Sequence, residues 1–138
     1  MSAKTLLCLD VGERRIGVAR GDTGVRIAVP IQTIEVDGTE LQQIAKLVSF
    51  EGAETLVVGF PRNQQGEATK QTAYVQSFVE QLKQVDGFDA SVVFQDESLT
   101  SVLAEQQLMA HKKPYTKGDI DAQAACIILK DYLEERYG

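Results

Sequence analysis

The chain has 138 residues, 43% of them hydrophobic, which fits one globular domain over residues 1–138 that buries roughly 68% of its unfolded surface without help from disulfides. Its net charge of -6 excludes a generally basic protein that coats nucleic acid regardless of sequence. No stretch approaches the roughly 20 apolar residues of a membrane span, Lys4 to Asp10 is too short for a secretory signal, and Cys8 and Cys126 lie in apolar runs where a thiol acts as a small hydrophobe, so the chain reads as a reduced, cytoplasmic protein.

Leu6 to Leu9 is an uninterrupted apolar run, the mark of a strand covered on both faces, and it ends on a carboxylate, Asp10. Gly12 permits a tight turn, Arg14 and Arg15 occupy the bend, and Ile16 to Ala19 resumes the pattern as a second, antiparallel strand. Val25 to Ile34 gives a third extended stretch in which Pro30 suits an edge strand or a bulge. Leu41, Ile44, Ala45, Leu47 and Val48 then recur at helical spacing up to a stop at Gly52. Thr55 to Gly59 is a short buried strand followed by a polar loop from Phe60 to Gly66, and Ala68 to Val85 is a second helix. Ser91 to Gln95 is the last strand, running into Asp96 and Glu97. Leu99 to Ala110 is a shorter helix, His111 to Gly118 a basic linker, and Asp119 to Tyr137 the closing helix.

Three strands followed by alternating helices and strands predict an α/β fold whose mixed sheet carries helices on both faces. In such sheets, sites gather beyond the carboxyl ends of strands, which is where Asp10 and Glu97 stand. A third acid comes from the closing helix. Steps of three, four, seven and eleven from Asp121 reach Ala124, Ala125, Ile128 and Tyr132, the apolar packing face, whereas Asp119 projects with Gln123, Lys130 and Glu134 toward water. Bland readings stand beside these: Asp10 as a turn former, and Asp121 as an acid favoured by the first turn of a helix. Three carboxylates make an all-oxygen site suited to Mg²⁺ or Mn²⁺, and a pair of such ions serves phosphodiester cleavage. One His and two core-like Cys argue against zinc, and no Ser-His-Asp or Cys-His set competes.

Basic residues cluster twice, between Arg14 and Arg26 and at His111, Lys112, Lys113 and Lys117. Arg14, Arg15, Lys112, Lys113 and Lys117 are the candidate phosphate contacts, with solvated surface charge as the alternative.

Four blocks then carry a resemblance: L-D-V-G-E-R-R-I-G-V-A (9–19), V-V-G-F-P with Gly66 downstream (57–66), Q-D-E-S-L-T-S (95–101) and K-G-D-I-D-A-Q-A-A-C-I-I-L-K-D-Y-L (117–133). In this order they resemble the YqgF/RuvX family, ribonuclease H-like proteins regarded as pre-16S rRNA nucleases and once proposed as Holliday-junction resolvases. The likeness is collinear over nearly the whole chain. It implies a ribonuclease H-like, five-stranded mixed sheet with the first three strands antiparallel. It further implies a hydrolase, a divalent-metal-dependent nuclease, acting on structured RNA in the processing of the 5′ end of precursor 16S rRNA. The family's acids fall on Asp10, Glu97 and Asp121, and its basic motif on Arg14 and Arg15. One position departs from the pattern: Ser98 stands where the family usually carries Arg.

Three alternatives remain. Branched DNA is the competing substrate for the same chemistry, and no stacking platform separates RNA from DNA, since aromatics are 7% of the chain and Trp is absent. A binding module that keeps the fold without turnover is the second. The third starts from Asp10, Gly12 and Gly17, which also resemble the first phosphate motif of sugar kinases and actin-like ATPases; those need two such domains, and this chain has room for one.

Overall fold

Apolar runs, turn residues and caps cut the chain into nine elements among the residues that the computed structural model describes, 3–61, 67–97, 100–111 and 113–137. They are β1 (Thr5–Val11), β2 (Arg15–Asp22), β3 (Ala28–Glu35), α1 (Glu40–Glu51), β4 (Thr55–Pro61), α2 (Lys70–Lys83), β5 (Ser91–Glu97), α3 (Thr100–Ala110) and α4 (Lys117–Tyr137). The polar loop at 62–66, Ser98 and Lys112 lie outside the described residues.

Element order agrees with the sequence reading, and the differences at the boundaries have local causes. Asp10 and Glu97 lie inside β1 and β5 rather than beyond them, because pairing continues through Asp10 with Gly17 and through Glu97 with Pro61. Arg15 begins β2 instead of lying in the bend, which is held by the Gly12 amide donating to the Arg15 carbonyl. Helix α2 starts at Lys70 because Thr69 caps it: its hydroxyl accepts from the Thr72 amide while its own amide donates to the Thr72 hydroxyl. Helix α4 starts at Lys117, two residues before the reading placed it, because Thr116 and Asp119 form the same reciprocal pair, Asp119 N to Thr116 Oγ1 at 3.1 Å and Thr116 N to Asp119 Oδ2 at 2.8 Å. Helix α1 stops at Gly52, whose left-handed backbone (φ 66°) suits glycine.

The sheet order is β3-β2-β1-β4-β5. Strands β1, β2 and β3 pair antiparallel, and β4 and β5 join on the other side of β1 in parallel. Pro30 lies on edge strand β3, opposite Ala19 at a register shift, as a residue without an amide hydrogen requires.

Side chains alternate between the two faces of a strand, so each core takes every second residue. Leu7, Leu9 and Val11 of β1, with Ile16 and Val18 of β2 and Leu56 and Val58 of β4, pack against α1 and α2. Leu6 and Cys8, with Ala19 and Val57, pack against Ala125, Cys126, Ile128, Leu129, Tyr132 and Leu133 of α4. The same parity assigns Asp10, Gly17, Gly59 and Glu97 to the α4 face.

Candidate active site

Along β1 the α4 face of the sheet is apolar up to its last row, where a carboxylate replaces hydrocarbon. Asp10 follows Leu6 and Cys8 in the β1 alternation, and Glu97 follows Val93 and Gln95 in that of β5. Because β1, β4 and β5 run parallel, their carboxyl ends share one side of the sheet, and both acids arrive there. Gly59 lies between them on β4. A Cβ on Gly59 would stand 2.5 Å from Glu97 Oε2 and 2.8 Å from Ile128 Cδ1, so the Glu97 carboxylate fills the space that a side chain at Gly59 would take.

The electrostatics follow from that placement. Burial, and then the charge of Asp121, push Asp10 up to about 7. Burial, and then the charge of Asp10, push Glu97 up to about 8. Among the described residues, Glu97 Oε2 is buried without a hydrogen-bond partner. An oxygen in that state is costly to bury and is a ready ligand for a cation.

Asp121 reaches the site through a glycine. Gly17, directly across from Asp10 in the β1–β2 pairing, carries no side chain, and α4 rests on it. A Cβ there would overlap the Asp121 carbonyl and stand 2.7 Å from the Ala122 amide nitrogen. The helix start is held again at the edge of the sheet, where the Thr33 hydroxyl donates to the Gly118 carbonyl at 2.6 Å. With its main chain fixed, Asp121 receives Arg15 Nε on Oδ2 at 2.6 Å, and both side chains are less than a third exposed. Arg15 and Gly17 share a face of β2 two residues apart, so Asp121 stands between an acid across the strand and a guanidinium along it.

The structure thus gathers Asp10, Glu97 and Asp121 at one end of the α4 face and leaves Asp119 exposed as a helix cap. Arg14, Lys113 and Lys117 are exposed, while Arg15 is engaged by Asp121. Gly17 and Gly59 are the functional positions that the sequence reading passed over as parts of this site. Their signal was present: each shares the strand parity of an acid. A cavity of about 340 Å³ on the β3 flank of α4, lined among others by Ile31, Thr33, Asp119 and Gln123, includes none of the three acids.

Among the described residues, no group of three or more His, Cys, Asp or Glu side chains is placed so that it could hold a metal ion as it stands. The donor chemistry nevertheless fits a hard divalent cation. All donors are carboxylate oxygens, one buried oxygen lacks any partner, and the mutual repulsion of Asp10 with its neighbours is what a cation would relieve. The carboxylates that supply these oxygens are Asp10, Glu97 and Asp121.

Known proteins resemble this chain over nearly its whole length. Residues 4–135 match the family described as "RuvX: Holliday junction resolvase". A protein of Chloroflexus aggregans named "Putative pre-16S rRNA nuclease" is 46% identical over 140 residues, covering 99% of this chain and 97% of the relative. A protein of the same name from Shewanella oneidensis is 35% identical over 142 residues, covering 100% and 99%. Among solved structures, Thermus thermophilus RuvC in complex with a Holliday junction substrate superposes with a TM-score of 0.58 at 15% identity over 96% of this chain and 95% of that one. Fowlpox virus resolvase bound to Holliday junction DNA gives 0.55 at 13% identity, over 95% and 97%. At those identities the likeness shows the fold, which is that of the ribonuclease H-like resolvases. The sequence matches go further, and the chain belongs to the RuvX family.

Proposed function

We propose that this chain is a divalent-cation-dependent endonuclease that processes the 5′ end of precursor 16S rRNA. The observation that carries the reading is the Asp10 and Glu97 pair, half-buried on either side of Gly59 at the carboxyl ends of parallel strands, with Glu97 Oε2 unpartnered among the described residues. Asp10, Glu97 and Asp121 hold the cations, Mg²⁺ or Mn²⁺, in this reading. Such ions, when bound, would supply Lewis-acid chemistry for the attack of a water on the phosphodiester. Arg14, Arg15, Lys112, Lys113 and Lys117 take the phosphates of the strand around the cut, giving a local basic surface to a protein whose net charge of -6 otherwise repels polyanions. The names of the relatives favour RNA in the ribosomal context.

Branched DNA is the second reading, favoured by the description of the matching family and by the junction bound to the structural neighbours. Residues 1–138 act as one domain, and the work is cytoplasmic, which agrees with two buried, unpaired thiols. The test incubates the protein and Asp10→Asn with labelled precursor 16S RNA and with a four-way DNA junction, each with Mn²⁺ or with EDTA. Cleavage of the RNA by the unaltered protein with Mn²⁺ alone supports the reading, preferential cutting of the junction transfers it to DNA, and binding without cleavage of either replaces it by a non-catalytic module.

A further inference from the structure

Arg15 has two acids within its field. Asp121 accepts from its Nε at 2.6 Å, and Glu35, its partner across the β2–β3 pairing, adds a weaker attraction. Of the three site carboxylates, Asp121 is thus the one with a resident cation, while Asp10 and Glu97 are left to burial and mutual repulsion. Asp121 cannot evade the contact by moving its backbone, because its carbonyl already lies on Gly17.

We propose that Arg15 is a built-in counter-ion that competes with divalent cations for Asp121, so that cation entry releases its guanidinium to the substrate phosphate. The inference rests on the reading of the three acids as a cation site. The oxygen that receives Arg15 Nε is one that a hard cation would use, and the guanidinium both occupies a lone pair of it and repels a divalent ion brought to the same carboxylate. A released Arg15 does not become an isolated charge, because Glu35 stands beside it in the register. Its planar fork then suits two phosphate oxygens better than an ammonium would. Linkage makes the coupling reciprocal: a phosphate that captures Arg15 strengthens cation binding by the same factor by which the cation strengthens phosphate binding.

The test uses Mn²⁺ alone, without nucleic acid, and measures its affinity by electron paramagnetic resonance for the unaltered protein, Arg15→Gln and Arg14→Gln. Competition predicts that Arg15→Gln tightens Mn²⁺ binding by roughly three- to tenfold, the worth of one part-exposed charge-assisted hydrogen bond. The gain persists at on the order of 0.5 M KCl, where the effect of removing a merely nearby charge is screened. Arg14→Gln loses the same charge without the contact and stays within about twofold. Equal effects of the two substitutions, an unchanged affinity in Arg15→Gln, or the absence of Mn²⁺ binding in all three proteins overturns the proposal.

A second measurement needs no variant. During Mg²⁺ titration of the unaltered protein, the NMR signal of the Arg15 Nε–H should leave its carboxylate-bonded position, and a signal that stays there while Mg²⁺ binds overturns the proposal. The outcomes separate from those of the nuclease reading. An unaltered protein that binds Mn²⁺ but cuts neither RNA nor DNA sinks the nuclease and leaves the competition standing; a Mn²⁺-dependent nuclease whose Arg15→Gln variant binds Mn²⁺ no better sinks the competition alone.

Discussion

The main chain of Asp121 lies directly on Gly17, with no room for a Cβ between helix α4 and strand β2. This contact brings the third acid down to Asp10, the residue paired with Gly17. Gly17→Ala should therefore remove activity without removing any acid. The neighbouring atoms are helix backbone, which cannot step aside as a side chain can, so the cost should reach the upper part of the ~1–3 kcal/mol range for overpacking or exceed it. Urea denaturation with a cleavage assay checks this; a stable and active Gly17→Ala protein would show that α4 has freedom the close contact denies.

Gly59→Ala should behave differently. The atoms that its Cβ meets are side-chain ends, Glu97 Oε2 and Ile128 Cδ1. Stability should fall by less than in Gly17→Ala, while cleavage falls sharply because Glu97 is displaced. Comparing the two variants in the same denaturation and activity assays tests the assignment of Glu97 to the site.

The metal-free protein should lose stability as pH rises from the ordinary carboxylate range toward 8. Asp10 and Glu97 are both raised in the folded state, to about 7 and about 8, so between pH 4 and those values the native chain holds more protons than the unfolded one. The contribution of these two acids is fully present at low pH and is lost as pH passes through the folded values. Glu97→Gln should flatten the decline in melting temperature between pH 5 and pH 8 measured in EDTA, and Mn²⁺ should raise the melting temperature most at the alkaline end. A melting profile in EDTA that climbs over that interval and is unaffected by Glu97→Gln would contradict the raised protonation of the pair.

The two acids of the helix start should separate cleanly. Asp119→Asn keeps an acceptor for the Thr116 amide and should keep most activity, losing at most ~1 kcal/mol of the favourable charge at a helix start. Asp121→Asn should abolish cleavage. Relief of repulsion alone would make the metal-free Asp121→Asn protein as stable as the parent or more so, but Asp121 is the acid whose charge is already met by Arg15. The stabilising substitution is therefore expected at Glu97, whose Oε2 has no partner, rather than at Asp121. Thermal melts of Glu97→Gln and Asp121→Asn in EDTA decide between the two acids.

Cys8 and Cys126 are buried and unpaired, and burial raises both thiols. A polar thiol reagent should label the native protein far more slowly than the urea-unfolded one. Equal rates would place at least one thiol at the surface.

Much of this site could be read from periodicity. The apolar run from Leu6 to Leu9 ended on Asp10, Ser91 to Gln95 ran into Glu97, and a 3.6-residue period put Asp121 on the packing face and Asp119 in water, because the alternation of a strand and the turn of a helix are properties of the local backbone. Strand parity also places Gly17 and Gly59 on the face of those acids, and the Thr116 and Asp119 capping pair is a local signal for the true start of α4.

Tertiary structure alone decided who the neighbours are. A period states which face a residue occupies but not which element crosses that face or at what height. The contact of Arg15 with Asp121, 106 residues apart, and the clearances at Gly17 and Gly59 exist only because α4 lies across β2 at one depth and in one register. Arg15, a candidate phosphate contact by its motif, became a partner of Asp121 for that reason: long-range packing chooses among the faces that local sequence makes available.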